Sequence, residues 1–184
     1  MSLTAETTTN PQQAERIARV WQVLDSVLDP EVPALSVRDL GIVRAVVPLD
    51  DTADGLLEVV LTPTYSGCPA TELIEHNVLQ AIEAASLGPA RARTQRAPAW
   101  TTDWISPEGR AKLRDYGIAP PAATAADGSA PVTFFARRPT AAAVACPRCG
   151  SPDTTQLSAF GSTACKSLYR CLACQEPFEY FKPI

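Results

Sequence analysis

Cys146-Pro147-Arg148-Cys149-Gly150 and Cys171-Leu172-Ala173-Cys174 are two CxxC pairs with twenty-one residues between them. Each pair can make a tight turn that aims two thiolates at one ion, and two such turns complete a tetrahedron. Gly150 permits the left-handed backbone that such a knuckle often needs. Aromatics and turn formers between and after the pairs suit a small β ribbon. So short a segment buries too little apolar surface, and ligation must supply much of its folding energy. The spacing predicts a structural zinc site on Cys146, Cys149, Cys171 and Cys174. Iron in a rubredoxin-like site is the alternative.

Outward from the pairs, Cys165 lies in Gly161-Ser162-Thr163-Ala164-Cys165-Lys166 and has no CxxC partner. It reads as a surface or packing cysteine, with Lys166 the one hint of reactivity. The chain has 184 residues and six cysteines. The first ten residues carry neither a basic nor an apolar leader segment, and no run is long enough to span a bilayer. The expectation is therefore a cytoplasmic, soluble protein, where metal or thiol chemistry is a better account of the cysteines than three disulfides. The net charge of −4 argues against a nucleic-acid binder, which needs a basic face.

Residues 1–10 read as a disordered tail. Asn10-Pro11 is a helix-start signal. Ile17, Val20, Trp21, Leu24, Val27 and Leu28 follow at helical spacing, with Arg16, Arg19, Gln22 and Asp25 mostly off that stripe. Asp29-Pro30-Glu31-Val32-Pro33 must be a stiff loop. Ile42–Val47 and Leu56–Thr62 read as a hairpin around the polar turn 50–55. A second helix is expected from Pro69 to Ser86, with Ile74, Val78, Ala81, Ile82 and Ala85 inward. Residues 90–98 suggest a third strand. A short helix is expected between Ser106 and Gly117. Residues 119–143 are rich in Ala and Pro and read as a linker, with Val132–Ala136 a strand candidate inside it.

Cys68 is the one cysteine outside the ribbon. It precedes Pro69, at or beside a helix start, where unpaired N–H groups favour a thiolate. Small neighbours leave room for a metal, a cluster or another protein. A buried packing cysteine is an equal reading. His76 is the only histidine, two turns further along the helix, and reads as solvated. Asp29 and Glu31 could ligate metal or move protons, but carboxylates beside prolines are ordinary in turns. One histidine cannot supply the paired Glu-x-x-His motifs of a di-iron oxygenase. Neither GxGxxG nor a P-loop is present.

Asp29-Pro30-Glu31, Leu40-Gly41-Ile42-Val43, Thr62-Pro63-Thr64 and Gly67-Cys68-Pro69 together resemble the MIP18-type (DUF59) domain family of iron–sulfur cluster assembly. The resemblance covers residues 11–118. It implies an α+β fold with a small mixed sheet, and a functional thiol at Cys68 that binds a cluster or metal, supported by Asp29 and Glu31. With Phe160–Lys166 inside a zinc ribbon at 144–184, and Asp103-Trp104-Ile105-Ser106, the chain resembles the PaaD-type (PaaJ) family of bacterial phenylacetyl-CoA 1,2-epoxidase components. That resemblance implies partners among the other epoxidase subunits, chiefly the iron–sulfur reductase. It also implies an accessory role in iron or iron–sulfur maturation. One thiol cannot complete an ordinary cluster, so a homodimer or a partner's thiols would be needed. The rival readings are a structural subunit of the epoxidase and an enzyme using Cys68 as nucleophile.

Overall fold

Asn10 opens the first helix, its side chain accepting from the Gln12 N–H at 3.0 Å, with Pro11 at the first helical position. In this computed structural model, residues 10–65, 67, 69–122 and 144–184 are described. Helix α1 spans Pro11–Leu24. It ends earlier than the proline at 30 demands, because the Ser26 hydroxyl donates to the Val23 carbonyl and the chain turns there. Val20, Leu24 and Val27 are buried as the periodicity requires. Leu28, placed on the same stripe by spacing, is instead exposed, since it lies beyond the helix in a bridge with Ser36.

Arg16 departs furthest from the sequence pattern. Expected mostly away from the stripe, it is buried. Its guanidinium donates to the carbonyls of Leu87 (2.9 Å), Ala53 (3.1 Å), Gly55 (2.7 Å) and Pro89 (3.3 Å). The neighbouring buried Gln13 donates to the carbonyls of Asp50 (2.8 Å) and Thr52 (3.0 Å). Two polar side chains thus reach six loop carbonyls, of which those of Pro89 and Thr52 also accept from the Leu57 and Gly55 N–H groups.

Strands β1 (Val43–Pro48) and β2 (Leu57–Leu61) form the expected antiparallel hairpin, with a bulge between Val43 and Ala45. Every residue of β2 is buried, as its continuous apolar run foretells. In the hairpin turn the Asp50 carboxylate accepts from the Thr52 hydroxyl first, then from the Thr52 and Leu56 N–H groups, and these bonds hold it below its ordinary pKa. A Cβ at Gly55 would fall 1.8 Å from an Asp50 oxygen, so any larger residue there must displace that carboxylate from its bonds. Helix α2 (Thr71–Ala84) buries Ile74, Val78 and Ile82. It crosses over to β3 (Ala90–Thr94), which pairs parallel to β2. The sheet order is β1-β2-β3, a mixed sheet with a βαβ crossover. On β3, Arg93 and Arg91 both bond the buried Glu58 carboxylate and hold it below its ordinary range.

The second unit runs from Trp100 to Ile184. Helix α3 (Pro107–Tyr116) is capped by Ser106 and ends at Gly117, whose φ of 93° is left-handed. Strand β4 (Ile118–Ala119) then pairs parallel to β7 (Pro177–Phe181), which is antiparallel to β6 (Lys166–Cys171), itself antiparallel to β5 (Thr154–Ser158). This redraws a boundary. The sequence reading carries the first domain to residue 118 and starts the linker at 119. The chain divides instead at Ala99, because Ile118 and Ala119 are ribbon-sheet residues and Trp100 packs on Phe181 with ring centroids 6.1 Å apart. The candidate strand at 132–136 and the tail at 1–9 lie outside the described residues. Among those described, no helix is long and apolar enough to cross a membrane.

Replacing Arg16 with Met keeps the apolar stem and strands the loop carbonyls. Unfolding free energy should fall by about 3 kcal/mol, read as a lower denaturant midpoint at unchanged slope. Arg19→Met, on the exposed face, should leave the midpoint in place.

Candidate metal centre and thiol loop

The first knuckle closes through a Cys146 N–H bond to the Ser151 carbonyl and a Gly150 N–H bond to the Cys146 carbonyl, each 2.9 Å. Gly150 has φ +75°, the left-handed conformation expected of it. The second closes through the Cys171 N–H on the Glu176 carbonyl at 3.0 Å. Its left-handed residue is Gln175, at φ +66°, which a glycine-based reading does not find. Its side chain offsets the strain by donating to the Leu172 carbonyl at 2.6 Å. The Leu172 N–H reaches the Asp153 carbonyl at 2.8 Å and ties one knuckle to the chain leaving the other.

These turns bring the four sulfurs within 4.8 Å of one another. Cys146 and Cys174 sulfurs are 3.8 Å apart, and those of Cys149 and Cys171 are 3.6 Å apart. Four sulfurs around a zinc at the usual bond length of about 2.3 Å would be separated by about 3.8 Å. The donor set and its spacing therefore fit a tetrahedral thiolate site. Cys146 and Cys171 are buried and Cys149 and Cys174 exposed, so one side of the site rests on the core and the other faces outward. Behind it lie Ala119, Val144 and Phe178, with Tyr169 and Tyr180 packed against them.

The thiols are electrostatically uneven. Chiefly the Cys174 backbone N–H lowers Cys171 to about 7. At Cys174 the Glu176 backbone N–H pulls downward, yet burial and the neighbouring sulfurs of Cys171, Cys149 and Cys146 prevail and push it up to about 12. One thiolate forms readily and the next is resisted by its neighbours. A bound dication removes that conflict.

Cys165 is buried outside this group, its sulfur 3.0 Å from the Thr163 hydroxyl. The adjacent Lys166 is only 3% exposed and pairs with Glu179 at 2.8 Å. Burial alone would raise Glu179, but the Lys166 ammonium and the Ser162 backbone and side chain outweigh it and hold the carboxyl below its usual range. The Phe160–Lys166 stretch is thus a braced loop between β5 and β6, with Phe160 exposed under the Lys182 ammonium at 4.5 Å.

In the first unit, Cys68 lies outside the described residues. Helix α2 begins at Thr71 with Ala70 as its cap, so the helix starts later than Pro69. Asp29 is buried, and one of its oxygens accepts from the Glu31 and Val32 N–H groups at 2.9 and 2.8 Å. That oxygen shapes the loop. Glu31 is half-buried, and His76 is exposed on α2. Thr62, at the end of β2 in the motif leading to Cys68, is buried with a hydroxyl that has no partner among the described residues. Sequence reading quotes Thr62 only as part of the Thr62-Pro63-Thr64 motif and gives its hydroxyl no role.

Residues 130–182 match the family described as PaaD zinc beta ribbon domain, and residues 17–92 the family described as iron-sulfur cluster assembly protein. A protein of Escherichia coli (strain K12), provisionally named as the D component of a 1,2-phenylacetyl-CoA epoxidase, is 44% identical over 92% of this chain and 94% of its own. The chain belongs to the PaaD family. A shorter relative, similar to about half of the chain, is the Fe-S protein maturation auxiliary factor of Porphyromonas gingivalis (strain ATCC BAA-308 / W83), 33% identical over 51% of this chain and 87% of its own. The crystal structure of a DUF59 domain from Bacillus anthracis superposes with a TM-score of 0.50 at 21% identity, over 55% of this chain and 93% of that one, a likeness of fold.

This PaaD-family protein, once purified, should carry one divalent ion per chain. Cys171→Ser should lose it and unfold the ribbon, while Cys165→Ser keeps it, as read by elemental analysis and amide exchange. Because thiolates must form, binding should release protons, and acidification should release the ion. A metal content independent of Cys171 would contradict the assignment.

Proposed function

We propose that this protein is an accessory subunit of the phenylacetyl-CoA epoxidase system that helps mature an iron or iron–sulfur centre in the oxygenase or reductase subunits. The observation that carries the reading is the likeness to the Escherichia coli epoxidase component over nearly the whole chain, joined to an iron–sulfur assembly match that spans Cys68. In this reading the Cys68 thiolate is a transient donor to iron or a cluster in transit, which is cargo. Asp29 and Glu31 are the supporting carboxylates of this reading. One thiolate leaves cluster positions for a partner's thiols or a second copy, which suits hand-over better than storage.

The ribbon ion is zinc in this account. All four positions are thiolates, so no coordination site remains for water or substrate, and the role is structural. Zinc holds a docking element in shape. The absence of any oxygenase or reductase motif of the chain's own supports division of labour with other subunits.

The test is to purify the remaining epoxidase subunits from cells with and without this protein, then measure iron and sulfide per reductase and the rate of epoxidation. A maturation factor should be needed while the subunits are made and dispensable afterwards. Cys68→Ala should fold normally and reproduce the deletion. Full cluster content in cells lacking the protein would overturn the reading. So would a rate restored by adding the purified protein without iron or sulfide, which is the behaviour of a structural or catalytic subunit.

A further inference from the structure

Strand β3 is an edge strand: among the described residues it pairs with β2 alone. The Leu57 N–H bonds the Pro89 carbonyl at 3.0 Å, and the Gln95 N–H bonds the Leu61 carbonyl at 2.7 Å. Odd-numbered residues of β3 therefore turn their peptide groups inward, and Ala90, Ala92 and Thr94 turn theirs to the open edge. The two faces beside that edge differ. On the helix side, β3 carries small residues, and a 630 Å³ groove lined by Leu79, Ile82, Glu83, Pro89 and Ala90 opens at its first residue, while Thr94 bonds Glu75 of α2 further along. On the opposite side, Arg91 and Arg93 are about half exposed and share the single carboxylate of Glu58. Two guanidiniums against one carboxylate leave a positive surplus.

We propose that this edge and groove dock an extended segment of a partner protein in which apolar and acidic residues alternate. An added strand would use the peptide groups of β3 that have no partner among the described residues for its ladder, and its side chains would alternate between the two faces. Apolar ones enter the groove. Acidic ones meet Arg91 and Arg93, because Glu75 and Glu83 border the helix side and repel carboxylates there. Charge also selects against the nearest competitors. The chain's own segment at 132–138 carries Arg137 and Arg138 beside its apolar run. A second copy paired β3 to β3 would set arginine against arginine, which is unfavourable.

The probe is a fluorescein-labelled synthetic octapeptide of alternating valine and glutamate, titrated by anisotropy into the metal-loaded full chain. An otherwise equal valine–lysine peptide is the comparison. The glutamate peptide should bind about tenfold tighter at low salt, losing that advantage as salt rises. It should slow amide exchange at Ala92 and Thr94. Ala92→Leu, which adds bulk to the helix-side face of β3, should weaken it about tenfold, and Arg91→Gln should narrow the preference over lysine. Equal affinity for both peptides, or unchanged exchange at Ala92 and Thr94 in the unmodified chain, would overturn the proposal, whether or not the variants fold. Self-association that Ala92→Leu abolishes would assign the edge to a second copy. Tighter peptide binding after deletion of residues 123–143 would assign it to the chain's own segment. Either result also rejects a partner strand. The assay uses none of the other epoxidase components, so its failure leaves the maturation reading standing, and the reverse holds.

Discussion

The Arg16 guanidinium is the pin of the first unit. Three short strands and two helices enclose a modest core, and their connecting turns carry carbonyls that point inward. One planar cation with five donors answers the turn after β1 and the loop before β3 together. It fixes where β3 begins, and so where α2 must stand relative to it. The groove beside the start of β3 lies next to that anchored loop.

The second unit solves the same shortage with sulfur. Its core beside the cysteines is a few side chains deep, and the knuckles are held by backbone bonds that fix the sulfurs at tetrahedral spacing. One unit is pinned by a cation that the chain carries itself. The other is built to receive one.

What is legible in the sequence follows the range of each interaction. Caps at Asn10 and Ser106, the stop at Gly117, the hairpin and the two CxxC turns are local, and all are visible in the order of residues. The burial of Arg16 and Gln13 is not, because hydrophobic periodicity scores them as surface while their partners lie some forty to seventy residues away. Strand β4 escapes because two residues cannot show alternation, and its parallel partner is sixty residues on. Gln175 escapes because glycine is the usual sign of a left-handed residue, and here a side-chain bond takes its place. For the candidate site, the metal ligands are legible from spacing. The Asp29 oxygen that shapes its loop is legible only as an ordinary turn carboxylate, and the buried Thr62 hydroxyl not at all.

The pairing of β4 with β7 has a consequence for how the ribbon can be cut out and moved. Ala122 and Val144 line the same 270 Å³ pocket, beside β4 and the first knuckle. The transferable module, however, is not the one that the cysteines delimit. A fragment starting at Val144 would bare the β7 edge and uncover Phe181, whereas one starting at Trp100 carries its own edge strand and its own lid for that ring.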